Sequence, residues 1–331
     1  MSARVALVGA GQVGRLLVPR LHERGHRIVA AIGRGAAVGQ DIGELAGGTP
    51  LGVAVRDDID AALADTRPDV VLMSTASTLA ATEADLLSCI RAGAGVISAG
   101  EELLAPWASD PGRSDVIDAA AREHGVSVLA SGHVDALWVH LPLTLAGIVT
   151  HLDRLEGECT RPFAVARSSN AGVSGLLGAP VERYPVERSG DPGAGAAFSS
   201  LHAIARGMGL TVLRARSTVT AAIAEQELVV QLPDGERRIA PGTIAGSTRT
   251  VELETSAGVA LVLHDVARVG AHSTEHWRVS GSPDVELRAS AAQGLVSTAT
   301  QMVARIEDAL NVEPGLHTLS DLPPLRYRAL G

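Results

Sequence analysis

Residues 4–17 read RVALVGAGQVGRLL. An apolar run suited to a buried strand passes into three glycines, Gly9, Gly11 and Gly14, and then into apolar residues at helical spacing. Each glycine answers a separate demand of a strand-to-helix turn. Gly9 permits the tight bend, Gly11 lets the backbone come close to an anion, and Gly14 lets the helix settle against the strand. The opening amides of a helix have no intrahelical acceptor and carry the positive end of its dipole, so a turn of Gly9, Ala10, Gly11, Gln12, Val13 and Gly14 is suited to hold a pyrophosphate. The motif alone is weak, but here it lies inside a strand–helix–strand unit at the head of the chain, which makes it a strong sign of dinucleotide binding.

Working outward, short apolar runs recur at the spacing of alternating strands and helices: RIVAAI (27–32), LGVAV (51–55), DVVLMS (69–74), GVISAG (95–100) and VSVLAS (126–131). Continuous Val, Ile and Leu mark strands buried on both faces, which is how parallel strands read. Between them, VGRLLVPRLHERG (13–25) and ATEADLLSCIRAG (81–93) carry helical periodicity and close on a glycine suited to the left-handed position after a helix. Right-handed crossovers then give a Rossmann-type α/β fold, a doubly wound parallel sheet, over residues 1–132. From 133 to about 310 the pattern changes. A long apolar helix, ALWVHLPLTLAGIV (136–149), leads into a Gly/Pro/Ser-rich stretch (168–198), followed by alternating segments at 211–230, 247–267 and 272–290. Alternation with turns between predicts an α+β domain built on a mixed or antiparallel sheet with one wet face. A final helix near 291–310 and the tail 311–331 are expected to return to the first domain.

Composition narrows the chemistry. The 331 residues carry a formal net charge of -9 with interspersed signs, so neither nucleic acid nor an anionic membrane is an expected partner, and a small molecule is. All 28 basic residues are arginine. Schiff-base catalysis, a phosphate-loop lysine and a lysine proton donor are therefore excluded. Two distant cysteines, Cys89 and Cys159, and no histidine or cysteine spacing of the zinc-binding kind predict no metal and a reduced, cytoplasmic protein. A strand starting within three residues of Met1 leaves no room for a signal peptide, and the longest apolar stretch falls short of the roughly 20 residues a bilayer needs.

The ends of the predicted strands supply the candidate site. The second runs into Gly33 and Arg34 without the acidic residue that holds a ribose 2′-hydroxyl, and an arginine suits a 2′-phosphate, so NADP(H) is favoured over NAD(H). The fourth ends in Ser74, Thr75, Ala76 and Ser77, small residues that leave space for ribose and nicotinamide. The fifth ends in Glu101 and Glu102. Neighbouring residues in such a turn point apart, so one carboxylate can enter the site while the other faces solvent or caps the helix that follows. The sixth is followed by His133, a group able to exchange protons near neutrality, and Asp135, which could cap the next helix.

Together these segments resemble the family of 2,4-diaminopentanoate dehydrogenases and native amine dehydrogenases, whose first domain is similar to that of dihydrodipicolinate reductase. The resemblance runs along nearly the whole chain, through AAVGQDIGELAG (36–47), VISAGEELLAP (96–106), LPLTLAG (141–147), IAPGTIAGSTRTV (239–251) and PGLHTLSDLP (314–323). It implies NAD(P)-dependent oxidation or reduction at a carbon bearing nitrogen, on an amine, imine or carbonyl substrate, in a homodimer, and it implies that a carboxylate at Glu101 or Glu102 assists. The chain departs from the family where an Asn-Pro-Gly-Phe stretch would follow the sixth strand. Here His133, Val134, Asp135 and Ala136 stand instead, which leaves the substrate open. A carbonyl reductase with His133 as acid, or a non-catalytic dinucleotide-binding protein, are the competing expectations. The paired histidines and the lysine of dihydrodipicolinate reductase itself are absent.

Overall fold

The computed structural model describes residues 2–163, 173, 175–184, 195–232, 235–290, 293–327 and 329. The chain divides into two compact units, Met1–His140 with Gly294–Gly331, and Leu141–Gln293.

The first unit is a seven-stranded, wholly parallel sheet. Its strands are β1 (Arg4–Val8), β2 (Arg27–Ile32), β3 (Val55–Arg56), β4 (Val70–Met73), β5 (Gly95–Ser98), β6 (Ser127–Ala130) and a closing strand, Gly315–Leu316. Their order across the sheet is closing strand, β6, β5, β4, β1, β2, β3. In β4, β5 and β6 every residue is buried, which is why they read as unbroken apolar runs. The helices Gln12–Glu23 and Leu79–Arg91 form where the periodicity placed them, and Gly25 and Gly93 after them have φ of 72° and 74°.

The stretch LGVAV forms only a two-residue strand, because Asp41 claims its start. The Asp41 carboxylate accepts from the amides of Gly43, Glu44, Leu51 and Val53 at 2.8, 3.3, 2.9 and 2.9 Å. Those bonds hold its carboxyl below the usual range, the one from Leu51 most of all. Residues 51–54 are thereby tied to the AAVGQDIGELAG segment instead of pairing with β2.

The expected final helix is two, Gly294–Ala304 and Ile306–Asn311. Both cluster with the first unit, as expected of the final helix and the tail, and that unit also takes in residues 133–140 beyond the expected 1–132. Polar ties explain the larger extent. The Ser127 hydroxyl donates to the Ala309 carbonyl at 2.7 Å, and Arg305 is bonded to Asp135.

The second unit carries a six-stranded sheet built from β7 (His151–Pro162), β8 (Val212–Ile223), β11 (Ile244–Thr255), β12 (Ala260–Arg268), β13 (Thr274–Ser282) and β14 (Val285–Ser290), with β9 (Leu228–Leu232) and β10 (Gly235–Ile239) as a separate hairpin. The order is β14, β13, β7, β12, β11, β8, antiparallel except for β7 beside β12, so the sheet is mixed. One face is dry. Leu155, Leu261, Leu263, Val251, Leu253, Trp277 and Val279 on it are no more than 2% exposed. Gly157 is required there, since a Cβ would lie 2.6 Å from the Trp277 ring. Helix Ala196–Gly207 packs on β12 and β11. The other face carries Glu156, Glu158, His264 and Arg278, half-buried or exposed. Most of the Gly/Pro/Ser-rich stretch 168–198 lies outside the described residues. No helix among the described residues is long and apolar enough to cross a membrane.

Candidate functional site

Gly9 leaves β1 at φ 111°, and a Cβ on it would lie 2.6 Å from the Ser74 carbonyl oxygen. At Gly14 a Cβ would sit 1.8 Å from the Gly9 carbonyl oxygen. Both positions are glycine because protein atoms forbid anything larger. Gly11 is different. A Cβ there would meet no protein atom within 4 Å, so the fold itself does not demand glycine, whereas a ligand approaching the backbone does. Gly11 caps the first helix without a side-chain hydrogen bond, and no acidic residue stands in its first turn. The Gln12, Val13 and Gly14 amides thus open a helix N-terminus suited to an anion, and the residues fit the diphosphate of a dinucleotide.

Strand register aligns the rest. Ile32, Val8, Met73, Ser98 and Ala130 lie on one line across β2, β1, β4, β5 and β6. The turns that follow them stand side by side along the carboxyl edge, ~4.8 Å apart from strand to strand. Read in order, the edge presents Arg34, the glycine turn, Ser74–Ser77, Glu101 with Glu102, and His133. The order of strands reverses between β1 and β4, the point where open α/β sheets bind nucleotides.

Arg34 is exposed before the 3-10 turn Gly35–Ala37 and makes no hydrogen bond or ion pair among the described residues. Gly33 before it has no room for a side chain, since a Cβ would lie 2.9 Å from Val55 Cγ1. Ser74 is half-buried with its hydroxyl 3.5 Å from the Gly9 carbonyl, so it braces the glycine turn. Thr75 and Ser77 are exposed and Ala76 half-buried.

The two glutamates diverge. Glu102 turns back to the preceding helix: its Oε2 accepts from the Leu79 amide at 2.7 Å, and its own amide donates to the Ser77 carbonyl at 3.1 Å. It caps Leu79–Arg91, where Thr78 offers no side-chain cap, and not the helix that follows as the sequence suggested. The reason is local. The next helix is the four-residue Pro106–Ser109, with proline at its start, while the amides of Leu79–Arg91 lie one strand away. The Ser98 hydroxyl accepts from the Gly100 amide at 3.0 Å, fixing the other side of the turn. Glu101 is thus held, half-buried, between two anchored neighbours at the end of β5.

His133 is half-buried, its amide donating to the Thr298 hydroxyl at 3.1 Å. Asp135 does not act as a helix cap. It is fully buried and takes a paired bond from Arg305, Nε and Nη2 each at 2.8 Å, and a third from the Ser131 hydroxyl at 2.8 Å. Arg305 also donates to Asp308, to the Pro323 carbonyl and to His140 Nε2, at 2.7, 2.7 and 3.1 Å. Burial lowers the His140 pKa, consistent with a neutral ring accepting from the guanidinium. Gln301 accepts from the Ala136 amide at 2.9 Å. Thr298, Gln301 and Arg305, on one face of the closing helices, therefore hold the His133–Ala136 segment. Sequence reasoning missed this network. An arginine between Met302 and Ala309 on an otherwise buried helical stripe was the available signal.

Comparison with known proteins follows the same lines. Residues 3–100 match the family model for the dihydrodipicolinate reductase N-terminus. The chain is 25% identical to 2,4-diaminopentanoate dehydrogenase from Acetoanaerobium sticklandii over 97% of its own length and 93% of that protein. A 68-residue stretch, 19% of this chain and 26% of the other, is 50% identical to 4-hydroxy-tetrahydrodipicolinate reductase from Alkalilimnicola ehrlichii. Among solved structures, the amine dehydrogenase from Mycobacterium smegmatis superposes with a TM-score of 0.86 at 29% identity, covering 99% of this chain and 98% of that one. The resemblance carried by the motifs therefore extends along the whole chain.

Proposed function

We propose, from the premise that this chain is an NAD(P)-dependent oxidoreductase akin to the amine and 2,4-diaminopentanoate dehydrogenases, that it interconverts a small carbonyl compound and an amine with Glu101 as its acid–base group. One observation carries the assignment of residues: the order along the carboxyl edge, Arg34, glycine turn, Ser74–Ser77, Glu101, His133, matches the order of an extended dinucleotide followed by its substrate. The Gly11–Gly14 amides would hold the diphosphate, and Ser74–Ser77 would border the nicotinamide ribose. When bound, the reduced cofactor supplies a hydride.

Glu101 does the proton work. As a base it takes a proton from the incoming ammonium, freeing the amine to add to the carbonyl. It then returns that proton to the hydroxyl that leaves the adduct as water. The carboxylate so regenerated stabilises the positive charge of the C=N group. Glu102, committed to the Leu79 amide, stays out of these steps. His133, beyond Glu101 along the edge, lines the substrate side.

Cofactor oxidation measured with small ketones and aldehydes, with and without ammonia or a primary amine, tests the reading. Dependence on the nitrogen source is the expected result. Turnover of the carbonyl alone would overturn it in favour of a carbonyl reductase with His133 as acid, and tight cofactor binding without any turnover would leave a dinucleotide-binding protein.

We further propose NADP(H) as the preferred cofactor, NAD(H) being second. Arg34 is the reason. Arg34→Ala should weaken NADPH by about ten-fold or more, the worth of a charge-assisted hydrogen bond, and NADH by less than about two-fold. Fluorescence titration with both cofactors reads the difference, and equal losses would remove the phosphate assignment. The resemblance also supports a homodimer, and the two buried free thiols, Cys89 and Cys159, suit a reducing cytoplasm.

A further inference from the structure

A cavity of about 570 Å³ opens in the first unit, between the last turns of helix Gln12–Glu23, the start of β2 and the loop 43–51. Its place in the fold separates it from the cofactor edge. β2 begins at Arg27 and reaches the carboxyl edge only at Ile32, ~16 Å further on, while the glycine turn lies at the other end of the helix, ~18 Å away. The walls stand without a ligand. Asp41 Oδ1 accepts from the amides of Gly43 and Leu51, at the two ends of the loop, and the Gly48 amide donates to the Gly43 carbonyl at 2.9 Å. One side is apolar, with Val18 buried, Ile28 half-buried and Leu51 40% exposed. Gly48 in the wall resembles Gly11: its φ is not positive, and an added Cβ would meet only the Gly43 carbonyl oxygen, at 3.6 Å, so the fold does not demand glycine there.

The other side offers donors. His26 Nδ1 accepts from the Ala3 amide at 3.2 Å, so in the neutral ring the proton sits on Nε2. Burial first, and then the positive charge around it, that of Arg24 included, lower the His26 pKa and keep the ring neutral at pH 7.5. The Arg27 guanidinium makes no hydrogen bond or ion pair among the described residues, and neither does Glu23, the cavity's one acid, exposed at the end of its helix. A cationic ligand would therefore meet Arg27 in a positive surrounding. A carboxylate can take paired bonds from the guanidinium and a further one from the imidazole. The apolar side calls in addition for a hydrocarbon body, which an inorganic anion lacks.

We propose that this cavity is a second ligand site, for a small aromatic or aliphatic carboxylic acid whose carboxylate takes Arg27 and His26 Nε2 while its apolar body lies on Val18, Ile28 and Leu51. The site goes beyond the hydride chemistry proposed above and stands or falls without it.

The test uses the full chain at pH 7.5, titrated calorimetrically with sodium 2-naphthoate and, separately, with 2-naphthamide, which has the same shape without the charge. The acid is expected to bind about ten-fold more tightly than the amide, the gain of a charge-assisted bond. Equal affinities, or no binding of the acid at ~1 mM, overturn the proposal in the unaltered protein. Arg27→Gln, shown folded by circular dichroism, should abolish the preference, and Gly48→Leu, which places a side chain in the wall, should weaken acid and amide alike. A preference kept in folded Arg27→Gln, or binding untouched by Gly48→Leu, overturns the site. A saturating dinucleotide should leave the acid bound, and its displacement would place the acid at the cofactor edge instead.

Discussion

Replacing Arg305 by methionine is expected to remove about 3–5 kcal/mol of folding stability, the cost of leaving a buried charge without its partner. Asp135 and Arg305 are both 0% exposed, and their two bonds form a fork-to-fork pair. Taking away the guanidinium strands the carboxylate together with the Asp308 side chain, the Pro323 carbonyl and His140 Nε2. Urea unfolding monitored by circular dichroism measures the loss. The double replacement Asp135→Leu with Arg305→Met should recover most of it, because an apolar pair of similar volume has no charge to desolvate. A loss below about 1 kcal/mol in the single variant would mean that the pair adds no more than an exposed one does.

Glu101→Gln is expected to lower kcat by about 10² or more, in the range of an acid–base group removed from the reacting atoms. The amide cannot take a proton from ammonium or return one to the departing hydroxyl. Glu102→Gln serves as its counterpart. It keeps an oxygen for the Leu79 amide and should leave kcat within about two-fold, while weakening the favourable charge at a helix N-terminus by about 0.3–1 kcal/mol. Steady-state kinetics and thermal unfolding of both variants separate the roles. Similar rates for the two would return both glutamates to structural duty, and a large loss at Glu102 alone would reverse the assignment.

What the sequence made legible was whatever depends on near neighbours. The glycine turn, five of the six apolar runs and the alternating strands of the second unit are local patterns, and the molecule realises them. The destination of Glu102 was not legible. Its partner amide, Leu79, lies 23 residues away, and nothing in EEL distinguishes a carboxylate that caps the helix behind from one that caps the helix ahead. LGVAV failed as a full strand for a similar reason: Asp41, ten residues before Leu51, takes up amides that β2 would have used. The buried pairing of Asp135 with Arg305 spans 170 residues, and an aspartate after a strand reads as a helix cap until that distant arginine is known. Arg34 and Glu101, by contrast, could be nominated early, because the ends of parallel strands converge on one edge whatever the loops between them do.

The first unit is discontinuous: its closing helices and the strand Gly315–Leu316 come from the last 38 residues, after the whole of the second unit. On a ribosome, then, the nucleotide-binding half must wait. Until those residues emerge, the amide of His317 cannot reach the Val128 carbonyl, nor that of Leu316 the Asp118 carboxylate, and β6 is a raw margin with Asp135 uncompensated beneath it. The second unit, contiguous from Leu141 to Gln293, is under no such delay, so the half translated first is the half that matures last.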